Sequence, residues 1–148
     1  MTTTKAMISA LHATAAWGNA FLQDAKALVQ AALTTNDEVI LHEIPAGTRL
    51  TGLKIRAEDL DTGTTLAANL GFRSTHPNQA VAAQASYFLN ASASFQAAQA
   101  GWVDIAFEPI TFQEPVQIVL KPTANATGQA AGAKAIWSIA SGAVVGVA

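Results

Sequence analysis

Three histidines, His12, His42 and His76, carry the widest chemistry open to this chain of 148 residues. An imidazole titrates near neutrality, so it can act as a general base or a metal ligand. No His-x-x-x-His spacing exists to place two rings on one helical face for zinc. The three fall in an N-terminal arm, a strand and a loop. His42 is followed by Glu43, and successive strand residues point to opposite faces. The two cannot share a site, so a surface or partly buried ring is expected at His42. His76 precedes Pro77 and reads as a loop residue.

The carboxylates of "EDLDTG" (58–63), Glu58, Asp59 and Asp61, suggest a calcium loop. An EF-hand needs a bidentate glutamate near position 70, where this chain has Leu70. Asp and Gly are the ordinary residues of tight turns, so the stretch is read as a turn. Ser9, Ser74, Ser86 and Ser141 stand in no nucleophile-elbow context. "GTRLTG" (47–52) lacks the Lys-Ser/Thr pair of a phosphate loop. Cysteine is absent, which excludes disulfides and thiolate chemistry. The expectation is a protein with no catalytic residues, no metal and no cofactor, and not an enzyme. Trp17, Trp102 and Trp137 could stack on a sugar; packing in a core or an interface is the preferred reading, because Trp alternates with other apolar residues in both later strands.

Only 12% of the residues are charged, 51% are hydrophobic, and the net charge is -2. A typical globular chain has about 25% charged residues. A lone soluble monomer needs more surface charge than this, so neighbouring subunits are expected to cover part of the surface. No block of Lys or Arg exists, so nucleic acid is not an expected partner. No apolar run approaches the ~20 residues of a membrane span, so no membrane partner is expected. The start, "MTTTKAMISALHATAAWG", faintly follows the pattern of a signal peptide. His12 interrupts its apolar stretch, and the segment is expected to be retained.

The elements that would hold any site are short strands separated by turns. Val39 and Leu41 alternate with Ile40, His42 and Ile44, and Pro45-Ala46-Gly47 makes a corner. Leu53, Ile55 and Ala57 alternate with Lys54, Arg56 and Glu58, a period of two with one wet face. Asp61-Thr62-Gly63 turns the chain into Leu66, Ala68, Leu70 and Phe72, so residues 48–72 read as two strands joined by a turn. Alanine and glutamine favour helix, which predicts one short helix near 80–90. Val103, Ile105 and Phe107 share a face. Pro109 and Pro115 bracket an edge segment. Val116, Ile118 and Leu120 form another strand, and Ala135, Trp137 and Ile139 begin the last one. Residues 19–33 fit a helix capped at Asn19 equally with a strand over Leu28 to Leu33 pairing across Thr35-Asn36-Asp37 with Glu38 to Ile44. The predicted core comprises Leu53, Ile55, Leu66, Leu70, Phe72, Val103, Ile105, Phe107, Ile118 and Leu120. Short strands at this spacing indicate a sandwich or barrel.

The stretch "LTTNDEVILHEIPAGTRLTGLKIRAEDLDTGTTLAANLGF" (33–72) resembles a group of small virion proteins of tailed bacteriophages. The shared order is an N-D turn, an apolar strand, "IPAGT", an alternating strand, an Asp-rich turn and then Leu66-x-x-x-Leu70-Gly71. Tyr87-Phe88-Leu89 and Ala97-Ala98-Gln99-Ala100-Gly101 extend the likeness. The resemblance implies an all-β, antiparallel sandwich of jelly-roll type. It implies a capsid decoration, or cement, protein that binds the major capsid protein and stabilises the shell. It also implies a homo-oligomer, dimer or trimer, on the capsid surface of a virion assembled in the host cytoplasm. A carbohydrate- or receptor-binding module of a phage fibre is the alternative. Residues 1–24 depart from the pattern. They are expected to form an N-terminal arm outside a sandwich domain of residues 25–148. The arm's apolar side chains Met7, Leu11, Trp17, Phe21 and Leu22 are the candidate protein-interface residues, since aromatic and large apolar groups dominate interface energetics.

Overall fold

The computed structural model describes residues 1–8, 12–13, 20–76 and 81–146. Among the described residues twelve strands run in chain order: β1 (Thr3–Lys5), β2 (Met7–Ile8), β3 (His12–Ala13), β4 (Ala20–Val29), β5 (Glu38–Ile44), β6 (Thr48–Ala57), β7 (Ala67–Ser74), β8 (Gln84–Ser92), β9 (Val103–Asp104), β10 (Ile110–Phe112), β11 (Val116–Ala124) and β12 (Lys134–Val144). They make two sheets. The first has the order β1-β5-β11-β7-β8; the second has β10-β6-β12-β4-β2, with β3 also on β4 and β9 on β6. Pairing is antiparallel except between β1 and β5. One hydrophobic core lies between the sheets, built from Leu41, Ile44, Leu50, Leu53, Ile55, Leu70, Phe72, Ile118, Leu120 and Ile136 among others. The described residues form an all-β sandwich.

Residues 20–29 resolve as strand, not helix. Phe21, Gln23, Ala25, Ala27 and Val29 are buried, and Ala20, Leu22, Asp24, Lys26 and Leu28 are exposed. That strict period of two gives one apolar face to the core. The expected pairing of this segment with Glu38–Ile44 does not occur. β4 pairs with β12 along its whole length, and β5 belongs to the other sheet. The Thr34–Asp37 turn carries the chain between sheets. It is held by the Thr34 N–H and hydroxyl, both donating to Asp37 Oδ2 at 2.9 Å.

β6 and β7 are strands as expected, but they also lie in opposite sheets. The helix expected near 80–90 is absent among the described residues, where 84–92 form β8 on the edge of the first sheet. Helix propensity differs by only tenths of a kcal/mol per residue. Burying one phenylalanine contributes about 1.5–3 kcal/mol, and Phe88 is buried here against Phe72 and Phe107. Gly71 permits the approach, because a Cβ there would run into the backbone of Gln84 and Ala85.

Of the predicted core, Leu53, Ile55, Leu66, Leu70, Phe72, Ile105, Ile118 and Leu120 are buried. Phe107 is partly buried and packs against the core. Val103 is the correction, at 40% exposed. It sits in the two-residue edge strand β9 opposite Ile55. Phe95, outside any strand, is fully buried.

The first eight residues lie along one open side of the sandwich. β1 pairs with β5 in the first sheet and β2 with β4 in the second. Ala6, between them, is buried and donates its N–H to the Ile40 carbonyl at 2.8 Å. The boundary placed at residues 24 and 25 falls inside the continuous strand β4.

Candidate interaction face

The outer face of the second sheet collects the exposed apolar side chains of the strands. Strand register aligns Met7, Lys26, Trp137 and Arg56 in one row across β2, β4, β12 and β6. The next row is Asp24, Ile139, Lys54 and Asp104. Cross-strand neighbours on one face have Cβ atoms about 5 Å apart, so each row is a line of contacts. The Lys26 ammonium lies 5.8 Å from the Trp137 ring centroid, and the Arg56 guanidinium carbon lies 5.3 Å from it. Cations at that distance are held by the ring quadrupole.

Beside this row is a shallow concavity of about 360 Å³ lined by Met7, Asp24, Ala25, Lys26, Trp102, Trp137, Ser138 and Ile139. Trp102 is 45% exposed and Met7 69%. Leu22 and Leu28 extend the apolar surface along β4. The outward strand positions carry Lys26, Arg49, Lys54 and Arg56 against Asp24 and Asp104, although the whole chain is net negative. Lys54 is paired with Asp104 at 3.5 Å. Among the described residues, neither Lys26 nor Arg56 reaches a carboxylate within ion-pair distance.

The arm residues divide. Met7 and Leu22 are exposed on this face. Phe21 is only 4% exposed and belongs to the core, a correction that follows from its inward phase on β4. Leu11 and Trp17 lie outside the described residues.

Of the histidines whose side chains are described, His42 lies in β5 and His76 is exposed after β7. His42 is fully buried, which corrects the expected surface or partly buried ring. The cause is a bulge. Ile118 faces His42 and Val119 faces Ile40, so Leu41 is an extra residue on β5. A bulge re-aims the side chains that follow it. The ring lies between the sheets, with Nδ1 2.9 Å from Gln23 Oε1 and Nε2 2.8 Å from Ser138 Oγ. The Gln23 amide donates to the Glu43 carbonyl, so its oxygen accepts from Nδ1–H. Nε2 is then the acceptor for the Ser138 hydroxyl, whose one hydrogen also faces the Lys54 carbonyl at 3.0 Å. Desolvation lowers the His42 pKa to about 3. The Ser–His contact is buried, and it joins the two sheets.

Asp61 organises the turn that suggested calcium. Its carboxylate accepts from the backbone N–H groups of Gly63, Thr65, Leu66 and Thr127 at 2.7–3.0 Å. Desolvation pushes its pKa up, but those donors outweigh it and hold the carboxyl far below the usual range. Its oxygens are committed to the backbone. Among the described residues no group of three or more His, Asp or Glu side chains is placed to hold a metal.

The tryptophan face was not legible in the sequence because β12 is apolar in both phases. Ile136 and Ala140 point inward while Trp137 and Ile139 point outward. The one available signal was Lys26 and Arg56 in strands on either side.

No protein-family model matches the chain, and a search of the curated proteins finds no match. Solved structures do match. A chain of the cyanophage Pam1 capsid asymmetric unit is 16% identical with a TM-score of 0.64, over 92% of each chain. A chain of the capsid of Ralstonia phage GP4 is 19% identical with a TM-score of 0.65, over 93% of this chain and 92% of that one. At these identities the likeness is one of fold.

Proposed function

We propose that this chain is a structural protein of a bacteriophage virion that decorates and cements the capsid by binding the major capsid protein and stabilising the shell. The observation that carries the reading is the end-to-end likeness of fold to two chains from phage capsids. The resemblance over residues 33–72, with 87–89 and 97–101, points the same way. The sandwich is read as a jelly roll, supported by the four-strand orders β5-β11-β7-β8 and β10-β6-β12-β4 within its five- and seven-stranded sheets, since two interlocked Greek keys produce such orders in viral capsid proteins. The low charge and the exposed apolar face fit a protein that works in contact with others. It acts on the capsid surface as a dimer or trimer after assembly in the host cytoplasm, and without enzymatic activity. Met7 and Leu22, with Leu11 and Trp17 of the same arm, are the anchors proposed to reach a neighbour; Phe21 is withdrawn.

Imaging of intact particles tests this. Density for the chain at repeated positions on the outer shell, and particles that break at lower temperature when the chain is missing, are expected. Its absence from particles, or its presence only in tail fibres, overturns the proposal. The fibre reading has one observation in its favour, the two tryptophans beside Asp24 in the concavity. Against it, cations lie over the Trp137 ring and the Ser138 hydroxyl is committed to His42 and Lys54. Glycan binding that disappears in Trp102→Ala would favour it.

A further inference from the structure

We infer that the Lys26–Trp137–Arg56 row and the concavity beside it form a docking site for an acidic, apolar segment of another protein. This rests on the proposed virion role for its setting and goes beyond it in naming the surface and the chemistry of its partner. Two cations stand on this face without an ion-pair partner among the described residues, held against the Trp137 ring. Carboxylates of an acidic segment lying across the row would meet both charges. Their apolar neighbours would pack on Trp102, Met7 and Ile139.

The chemistry selects among occupants. A second copy joined by two-fold symmetry would bring the same net-basic patch against itself, with Lys26, Arg49, Lys54 and Arg56 on each side against only Asp24 and Asp104. A sugar needs open aromatic faces and many hydrogen-bonding groups. Here Trp137 is flanked by cations and the polar lining is Asp24, Lys26 and the committed Ser138. A nucleic acid strand needs several stacking platforms along a basic groove, whereas Asp24 and Asp104 interrupt this one. An acidic apolar protein segment meets none of these objections.

The test uses the full chain and a random glutamate–tyrosine copolymer, followed by tryptophan fluorescence. Polyglutamate, alginate and oligo-dT serve as comparison polyanions. The copolymer should bind most tightly and weaken with salt, as screened charges do. The double variant Lys26→Glu/Arg56→Glu should lose at least about tenfold in affinity. Trp102→Ala should also bind more weakly. The double variant Lys121→Glu/Lys134→Glu, with the same charge change off this face, should bind as wild type does. Equal binding by the Lys26/Arg56 variant overturns the inference. So does no copolymer binding, or tighter binding of alginate or oligo-dT. Self-association abolished by the Lys26/Arg56 variant assigns the face to a second copy and likewise overturns it. Co-sedimentation with particles lacking the chain separates the two proposals. If particles bind the Lys26/Arg56 variant normally, the docking site falls and the virion role stands. If particles do not bind wild type while the copolymer results hold, the virion role falls and the docking site stands.

Discussion

His42 on β5 and Ser138 on β12 meet between the two sheets, ring Nε2 to hydroxyl Oγ, 2.8 Å apart. Gln23 on β4 holds the other ring nitrogen at 2.9 Å. These side chains form a polar bridge through the core, so the two sheets are joined through one neutral imidazole.

That dependence gives a pH prediction. The folded-state pKa of His42, about 3, lies below the ordinary 6.5. Between those values the unfolded chain binds a proton that the native state does not. Stability is therefore fully present above about pH 6.5 and falls as the pH drops toward 3. The slope approaches ~1.4 kcal/mol per pH unit for one proton. In urea titrations from pH 7 to pH 4, His42→Gln should be less stable at pH 7, because its amide cannot reproduce both contacts. Its stability should also fall less steeply with acid than wild type. Parallel curves for the two proteins would show that His42 does not titrate as argued.

Asp61 supports a prediction of the same kind with a different window. Its carboxyl is held far below its ordinary pKa by backbone donors, despite desolvation. Its stabilisation is present above about the ordinary value of 3.8 and is lost as the pH falls below it. Asp61→Asn keeps the shape but replaces one acceptor oxygen with a donor that faces backbone N–H groups. It should lower the melting temperature clearly more than Asp59→Asn, whose carboxylate receives a single backbone bond, from Asp61. Equal melting temperatures would show that the turn does not depend on the Asp61 carboxylate.

The core can be tested where sequence and structure agree and where they part. Ile55 is buried as expected and Phe95 is buried without a strand to announce it. Ile55→Ala should cost ~2–5 kcal/mol and Phe95→Ala ~3–5 kcal/mol, because each leaves a cavity in a packed interior. Val103→Ala, on an exposed edge, should change stability by less than ~0.5 kcal/mol. Chemical denaturation with an unchanged m-value is the check. A Val103 variant as damaging as the Ile55 one would put Val103 back in the core.

What the sequence disclosed follows from where a single face is wet. β6 alternates Leu53, Ile55 and Ala57 with exposed Lys54 and Arg56, so its phase could be read. Pro109 and Pro115 flank β10, which is an edge strand. β4 was ambiguous because Leu22, Ala25, Leu28 and Val29 satisfy helical spacing while the buried set has a period of two. β5 misled because the bulge at Leu41 shifts the phase between Val39 and His42, and no glycine marks this bulge as one marks a G1 bulge. β8 misled because its alanines and glutamine speak for helix while Phe88 and its ring partners decide the outcome. The interaction face depended on the register of four strands distant in sequence, which a local pattern does not contain.

The N-terminal strands allow the last prediction. β1 and β2 cover the edges of β5 and β4, with Ala6 buried at the crossing and Thr2 donating its N–H to Asp37 at 3.2 Å. An uncovered edge presents a row of free backbone donors and acceptors, which pairs readily with another chain. Deleting residues 1–8 should therefore lower the melting temperature and promote self-association through the exposed β5 and β4 edges. The Lys5–Glu43 ion pair, 2.7 Å long but with both side chains well exposed, should contribute little, since solvent-exposed pairs are worth ~0–1 kcal/mol. Lys5→Ala alone should thus leave the melting temperature nearly unchanged. Calorimetry and size-exclusion chromatography of the two variants are the check. A deletion variant that melts with wild type and stays at its native size would mean that these strands do not hold to their own sandwich. They would then be free to reach a neighbouring subunit.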